Sequence, residues 1–159
     1  MDTITQITDA MTGCKDRTEV IFQARSVNEA FARIVVSAFA APLNPTMEEI
    51  ADVKTAVSEA VTNAIIHAYP EGDGIIHMRL TRWENTMEVV IEDEGLGIPD
   101  VERAMEPLYT TRPEMERSGM GFSFMEAFMD ELSVNSIFGR GTSVVMTKYF
   151  GRIHTYDEE

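Results

Sequence analysis

Three polar residues, Glu59, Asn63 and His67, recur at four-residue spacing in SEAVTNAIIH (58–67), inside an otherwise apolar pattern. A four-residue step turns an α-helix by about 400°, so successive members drift only about 40° and the three form one stripe. The stripe borders the apolar face. Alone, it is what the polar edge of any amphipathic helix looks like. Two glycine-bearing segments downstream give it something to face. Asp93-Glu94-Gly95-Leu96-Gly97 follows directly on MEVVIE, where an Asp at a strand end can point its carboxylate into a cleft. The glycines there let the backbone turn sharply and approach a ligand. Arg117-Ser118-Gly119-Met120-Gly121-Phe122 runs into a helical pattern. Free N–H groups on a glycine-rich turn at a helix start form an anion site. Between these motifs, EPLYTTRPEMERSGMG is irregular and carries Thr110, Thr111, Arg112 and Pro113. Long irregular segments in compact domains are often lids, although an ordinary surface loop reads the same way. The chemistry such residues would serve is the binding of a phosphate-bearing ligand.

The elements that must position these groups follow from periodicity and punctuation. TEVIFQAR alternates as a strand. Ser26 stands at an N-cap position with Glu29 at the capping-box position, ahead of a first helix, VNEAFARIVVSAFAA, that ends before Pro42. Thr46 and Glu49 repeat the signature for a second helix. Its Met47, Ile50, Val53, Val57, Val61, Ala64, Ile65 and Ala68 make an apolar stripe, and Tyr69-Pro70 stops it. GIIHMRLTRW and TMEVVIED read as a hairpin turned at Glu84-Asn85. A short helix near 99–105, a helix over 121–131 and a second hairpin, SVNSIF with TSVVMTKYF around Gly139-Arg140-Gly141, complete the chain. The order β-α-α-β-β-α-α-β-β predicts an α+β fold: a two-layer sandwich, its mixed sheet largely antiparallel and its helices on one face. Residues 1–17 read as an unstructured extension, 18–150 as the domain, and 151–159 as an acidic, solvated tail.

Bulk properties narrow the function. The chain has 159 residues, enough for one domain with a real core. It is 44% hydrophobic and 25% charged, with no apolar run near the ~20 residues a membrane span needs. Its start has neither a basic head nor an apolar core of a signal peptide, so a cytoplasmic location is expected. The single Cys14 can form no internal disulfide, and no cysteine cluster points to zinc. Thirteen Lys+Arg against 27 Asp+Glu give a net charge of −14, which argues against direct nucleic-acid binding. A phosphate ligand then needs either a few focused arginines or a screening metal ion.

The ordered set — ExxxN on a helix, DxGxG after a strand, an irregular segment, GxG at a helix start, and Gly141-Thr142 on a late hairpin — resembles the GHKL (Bergerat-fold) ATPase superfamily. No GxxxxGK[ST] loop and no HRD or DFG motif is present. Within it, SEAVTNAIIHAY, EDEGLGIPD, PLYTTRPEMERSGMGF and FMDE resemble the anti-sigma F serine kinases of sporulating bacteria, over about Glu19 to Tyr149. His67-Ala68 stands where that family's pattern has His-Gly, which bears on the local turn and not on the chemistry.

The resemblance implies ATP or ADP with Mg²⁺ between the second helix, the lid and the sheet. It makes Asp93 the acceptor of the adenine amino group, supported by Thr142, with Gly95 and Gly97 against the base. Asn63 becomes the Mg²⁺ ligand and Glu59 the general base. Arg117 would reach the γ-phosphate, and Ser118, Gly119, Met120, Gly121 and Phe122 would wrap the phosphates, with Thr110 and Thr111 in the lid. For His67 a phosphate or adenine contact and a structural helix-end role both stay open. Chain length favours a stand-alone domain over gyrase-like enzymes or histidine kinases. The implied partners are a sigma factor, an anti-anti-sigma protein as phosphorylation substrate, and a second copy of the chain in a homodimer. Arg25, Asn28 and Arg33 on the first helix are candidates for the partner face, with plain solvated surface as the alternative. A nucleotide-gated sigma binder without turnover, or another stand-alone GHKL ATPase, is the competing function.

Overall fold

The computed structural model describes residues 16–106 and 121–151. The elements are β1 (Asp16–Gln23), α1 (Val27–Ala40), α2 (Met47–Asn63), β2 (Ile75–Trp83), β3 (Thr86–Asp93), α3 (Val101–Ala104), α4 (Gly121–Phe128), β4 (Glu131–Ile137) and β5 (Gly141–Tyr149). The five strands form one sheet in the order β1-β2-β3-β5-β4. Every neighbouring pair is antiparallel, so the expected parallel element of a mixed sheet is not found among the described residues. The reason is topological. β4 runs parallel to β3, but β5 inserts between them and turns both contacts antiparallel.

The core lies between the sheet and the helices. Met78, Leu80, Met87, Val89, Ile91 and Met146 point from one sheet face onto Val53, Val57 and Val61 of α2, all of them buried. This is the period-2 face of the strands meeting the 3.6-period face of the helix. α2 contacts both α1 and α4, so it forms the floor on which the site is built.

Thr46 starts α2 as its sequence predicts. The Thr46 Oγ1 accepts from the Glu49 N–H at 3.1 Å, and the Thr46 N–H donates to Glu49 Oε2 at 2.9 Å. Such a cap is worth about 1 kcal/mol. Ser26 does not follow the same pattern. Its backbone is already helical (φ −53°, ψ −36°) and its side chain makes no cap hydrogen bond. A cap oxygen reaches back to the N–H groups only from extended backbone. Glu29 is therefore free to pair with Arg33 at 2.9 Å. Arg33 also reaches Ser58 Oγ at 3.4 Å, and Asn28 bonds the Gln23 carbonyl. Of the three expected partner-face residues, only Arg25 is fully exposed.

Several boundaries differ from the sequence reading. β1 begins at Asp16, whose carboxylate meets Arg82 of β2 at 2.5 Å, so Asp16 and Arg17 belong to the sheet. α4 ends at Phe128, because Asp130 and Glu131 already join the β4–β5 ladder. α2 does not stop cleanly but widens into a π-helical turn over Ala64–Ala68.

Candidate functional site

The stripe on α2 arrives at one wall of a cavity of about 320 Å³. Asn63 and His67 line it, together with Asp93, Gly97, Gly121, Phe122 and Thr142. The rest of the wall is mostly apolar, including Ile91, Leu96, Ile98, Phe138 and Val144. A mainly apolar cleft with a few converging polar groups is the usual form of a small-molecule site. Glu59 is half-buried one turn before Asn63 and is not among the lining residues. Thr110, Thr111, Arg112, Pro113, Arg117, Ser118, Gly119 and Met120 lie outside the described residues, as do the expected tail over 152–159 and residues 1–15 of the extension.

Asp93 is placed by strand register. Phe22, Ile76, Asp93, Thr142 and Ser136 are successive partners across the five strands. They form the last row of the inward-facing side, where the sheet ends and the cavity begins. Asp93 Oδ1 accepts from the Gly95 N–H at 3.0 Å and from the Thr142 N–H at 3.3 Å. Its Oδ2 has no hydrogen-bond partner among the described residues. Burial raises the carboxyl's pKa above its usual value, and the two N–H groups pull it part of the way back. The result is an acceptor fixed in direction, desolvated, and with one oxygen left for a ligand.

The glycines of the Asp93–Gly97 loop also meet a packing requirement that lies outside the loop itself. A Cβ on Gly95 would lie 2.3 Å from the Ala68 carbonyl oxygen, and one on Gly97 would lie 2.4 Å from that of Ile137. Gly97 also has φ +73°, a region L side chains rarely adopt. The loop is thus clamped between the end of α2 and the β4–β5 turn. The Leu96 N–H donates to the Ala68 carbonyl at 3.0 Å and the Gly139 N–H to the Leu96 carbonyl at 2.6 Å. Gly97 lines the cavity while Gly95 packs behind it.

The π turn explains how Ala68 stands where a glycine was expected. Tyr69 leaves the helix at φ −125°, ψ 65°, so no left-handed residue is needed. A widened turn frees backbone carbonyls locally, and that of Ala68 is the one that takes Leu96. The Tyr69 hydroxyl accepts from the Glu94 N–H at 2.8 Å and donates to the Ile75 carbonyl at 2.7 Å. Burial raises its pKa, so it keeps the proton it donates.

Asn63 is fixed from the opposite side. Gly121 starts α4 directly against it, and a Cβ there would come within 3.0 Å of Asn63 Nδ2 and 3.1 Å of Oδ1. Only a residue without a side chain leaves the carboxamide this space. No group of three His, Cys, Asp or Glu able to hold a metal occurs among the described residues. The Asn63 carboxamide oxygen is a hard donor, of the kind that could serve as one protein ligand to a cation whose other ligands are phosphate oxygens and waters.

Ser136 escaped the sequence reading. Its Oγ accepts from the Ile98 N–H at 2.7 Å, lies 2.9 Å from Thr142 Oγ1 and 3.1 Å from the Gly141 carbonyl. The available signal was a polar residue at an inward position: Leu132, Val134 and Ser136 share one side of β4 by period 2.

Comparison with known proteins agrees with this architecture. Residues 22–148 match the family model described as a histidine kinase-like ATPase domain. An anti-sigma F factor of Caldanaerobacter subterraneus is 61% identical over 134 residues, covering 84% of this chain and 94% of that protein. One from Clostridium novyi is 55% identical over 139 residues, 87% of this chain and 96% of that protein. A crystal structure of RsbU and RsbW domains from Mycobacterium tuberculosis superposes with a TM-score of 0.60 at 18% identity. It shares the fold over 86% of this chain, which spans 32% of that one. With an aspartate anchored at the end of β3, an asparagine facing it from α2 and these relatives over most of its length, the chain belongs to the anti-sigma F factor family of histidine kinase-like ATPase domains.

Proposed function

We propose that this protein is an adenine-nucleotide-dependent anti-sigma factor. It sequesters a sporulation sigma factor and, as a protein serine kinase, phosphorylates and so inactivates the anti-anti-sigma protein that opposes it. The observation that carries the reading is the anchored Asp93 carboxylate, whose Oδ1 is held by two N–H groups at the edge of the cavity that Asn63 enters from α2. A partly buried carboxylate oxygen with no partner among the described residues suits the exocyclic amino group of adenine, and the apolar walls suit its ring. The names of the relatives point to sigma factors as partners.

In the proposed reaction the substrate serine Oγ attacks the γ-phosphorus of ATP. The new O–P bond forms as the bond to the β,γ-bridging oxygen breaks, and ADP leaves with that electron pair. Glu59 takes the hydroxyl proton. Asn63 holds Mg²⁺, which when bound neutralises phosphate charge. Arg117 supports the γ-phosphate, and Ser118 to Phe122 give their N–H groups to the phosphate chain. The remaining protein groups orient the nucleotide and keep water from the base. With −14 overall, local cations have to offset the repulsion of a polyanion.

Incubation with γ-labelled ATP, Mg²⁺ and an anti-anti-sigma protein tests this. Label on a serine of that protein is the expected result. A second reading, a nucleotide-gated binder without turnover, is favoured by Glu59 lying outside the cavity lining. Sigma capture that depends on nucleotide, with no labelled serine, would establish it instead.

A further inference from the structure

Three atoms surround the Ser136 hydroxyl oxygen at hydrogen-bond distance, and they constrain where its one proton goes. The Ile98 N–H can only donate, so Ser136 Oγ accepts there. The Gly141 carbonyl can only accept, so Ser136 donates there. A serine hydroxyl has one donor and two acceptor positions. The remaining contact, with Thr142 Oγ1 at 2.9 Å, is then satisfied only if Thr142 is the donor. Were Ser136 to donate to Thr142 instead, its contact with the Gly141 carbonyl would carry no proton. Thr142 lines the cavity and Ser136 does not. Once its proton is committed backward to Ser136, Thr142 offers the cavity lone pairs alone. Asp93, its register partner on β3, offers carboxylate lone pairs beside it.

We infer that Ser136 is a positioning residue for nucleobase selection: by taking the Thr142 proton it makes that end of the cavity accept only, which favours a 6-aminopurine and rejects a 6-oxopurine. The inference rests on the reading that the cavity holds the base of a purine nucleotide. A 6-amino group brings protons to two acceptors. A 6-oxo group brings lone pairs against lone pairs. Sites built to pair a polar group reject its mismatch far more strongly than apolar pockets reject a shape change. Ser136 also ties the Asp93–Gly97 loop to β4, because the Ile98 N–H belongs to the segment that follows the loop. Removing its hydroxyl frees the Thr142 proton, and Thr142 can then rotate to donate to an oxo group.

ADP and inosine diphosphate, which differ only at the purine C6–N1 edge, are the probes, titrated calorimetrically into the full-length protein. The parent is expected to prefer ADP by at least about 100-fold. Ser136→Ala, its fold checked by thermal melting, is expected to narrow that preference about tenfold, from both sides. Ser136→Thr, which keeps the hydroxyl, is expected to restore it. Ser136→Cys is nearly isosteric but a weak donor and acceptor, and should narrow it even if the alanine variant fails to fold. A merely structural role would weaken both nucleotides equally. A folded variant whose ADP preference stays within about twofold of the parent's would overturn the inference while leaving nucleotide binding intact. A parent that binds neither nucleotide would overturn the nucleotide reading, and this inference with it.

Discussion

Gly121 abuts the Asn63 carboxamide so closely that a Cβ would sit 3.0 Å from its Nδ2 and 3.1 Å from its Oδ1. The first residue of α4 thus sets the position of the proposed metal ligand on α2. Gly121→Ala should keep the fold, since the added Cβ meets only the end of the Asn63 side chain. The cost falls on the carboxamide, which has to move by a few tenths of an ångström. Mg²⁺-dependent ADP affinity should drop about tenfold, with ADP binding in a chelator little changed. Paired calorimetric titrations with and without Mg²⁺ check this. An equal loss under both conditions would place the effect elsewhere.

Asp93→Asn separates fold from binding. The new Oδ1 can still accept from the Gly95 and Thr142 N–H groups, which forces the new amide NH₂ toward the cavity. A donor then meets the adenine amino donors. ADP affinity should fall by at least about 100-fold. Melting should hold or rise, because burial disfavours the ionised carboxylate that the variant removes. Melting in the absence of nucleotide and ADP titration together read both effects.

The same shift fixes the sign of a pH dependence. Burial raises the folded-state pKa of Asp93 above that of an unfolded aspartate, about 3.9. Its contribution to stability is therefore present below the unfolded value and lost as pH rises through the folded one. Adenine binding has the opposite dependence, because it needs the ionised form. ADP affinity should decline on acidification, starting above the pH at which an ordinary aspartate titrates. Asp93→Asn should lack that limb. Affinity measured across the acid range in both proteins checks it.

Glu59→Gln addresses the proton acceptor. The substitution keeps size and polarity on a half-buried position outside the cavity lining, so ADP affinity should match the parent. Phosphoryl transfer to serine should slow by about 10²–10⁴-fold. Transfer at the parent's rate would remove Glu59 from the role.

Much of this site could be read from residues, and the exceptions share a cause. The Thr46–Glu49 cap, both hairpins and the inward stripe of α2 from Ile50 onward are local patterns, and each appears where its spacing puts it, whereas Met47 at the helix start is exposed. Ser26 has the same capping signature as Thr46, yet its backbone is set by the turn out of β1, where Asn28 and Arg25 take the hydrogen bonds of Gln23. The glycines of the Asp93–Gly97 loop were legible as glycines but not as to why. Their neighbours, Ala68 and Ile137, come from distant segments. Ser136 is the plainest case. Within SVNSIF only its inward place two residues after Val134 marks it, and its role exists only through strand register with Thr142 and through Ile98 of another loop.

The central claim, an adenine nucleotide seated on Asp93, is tested most directly by titrating ADP with Mg²⁺ into the folded parent protein and following heat. The account expects saturable binding at one ADP per chain. A folded protein that gives no saturable binding at millimolar ADP would contradict it.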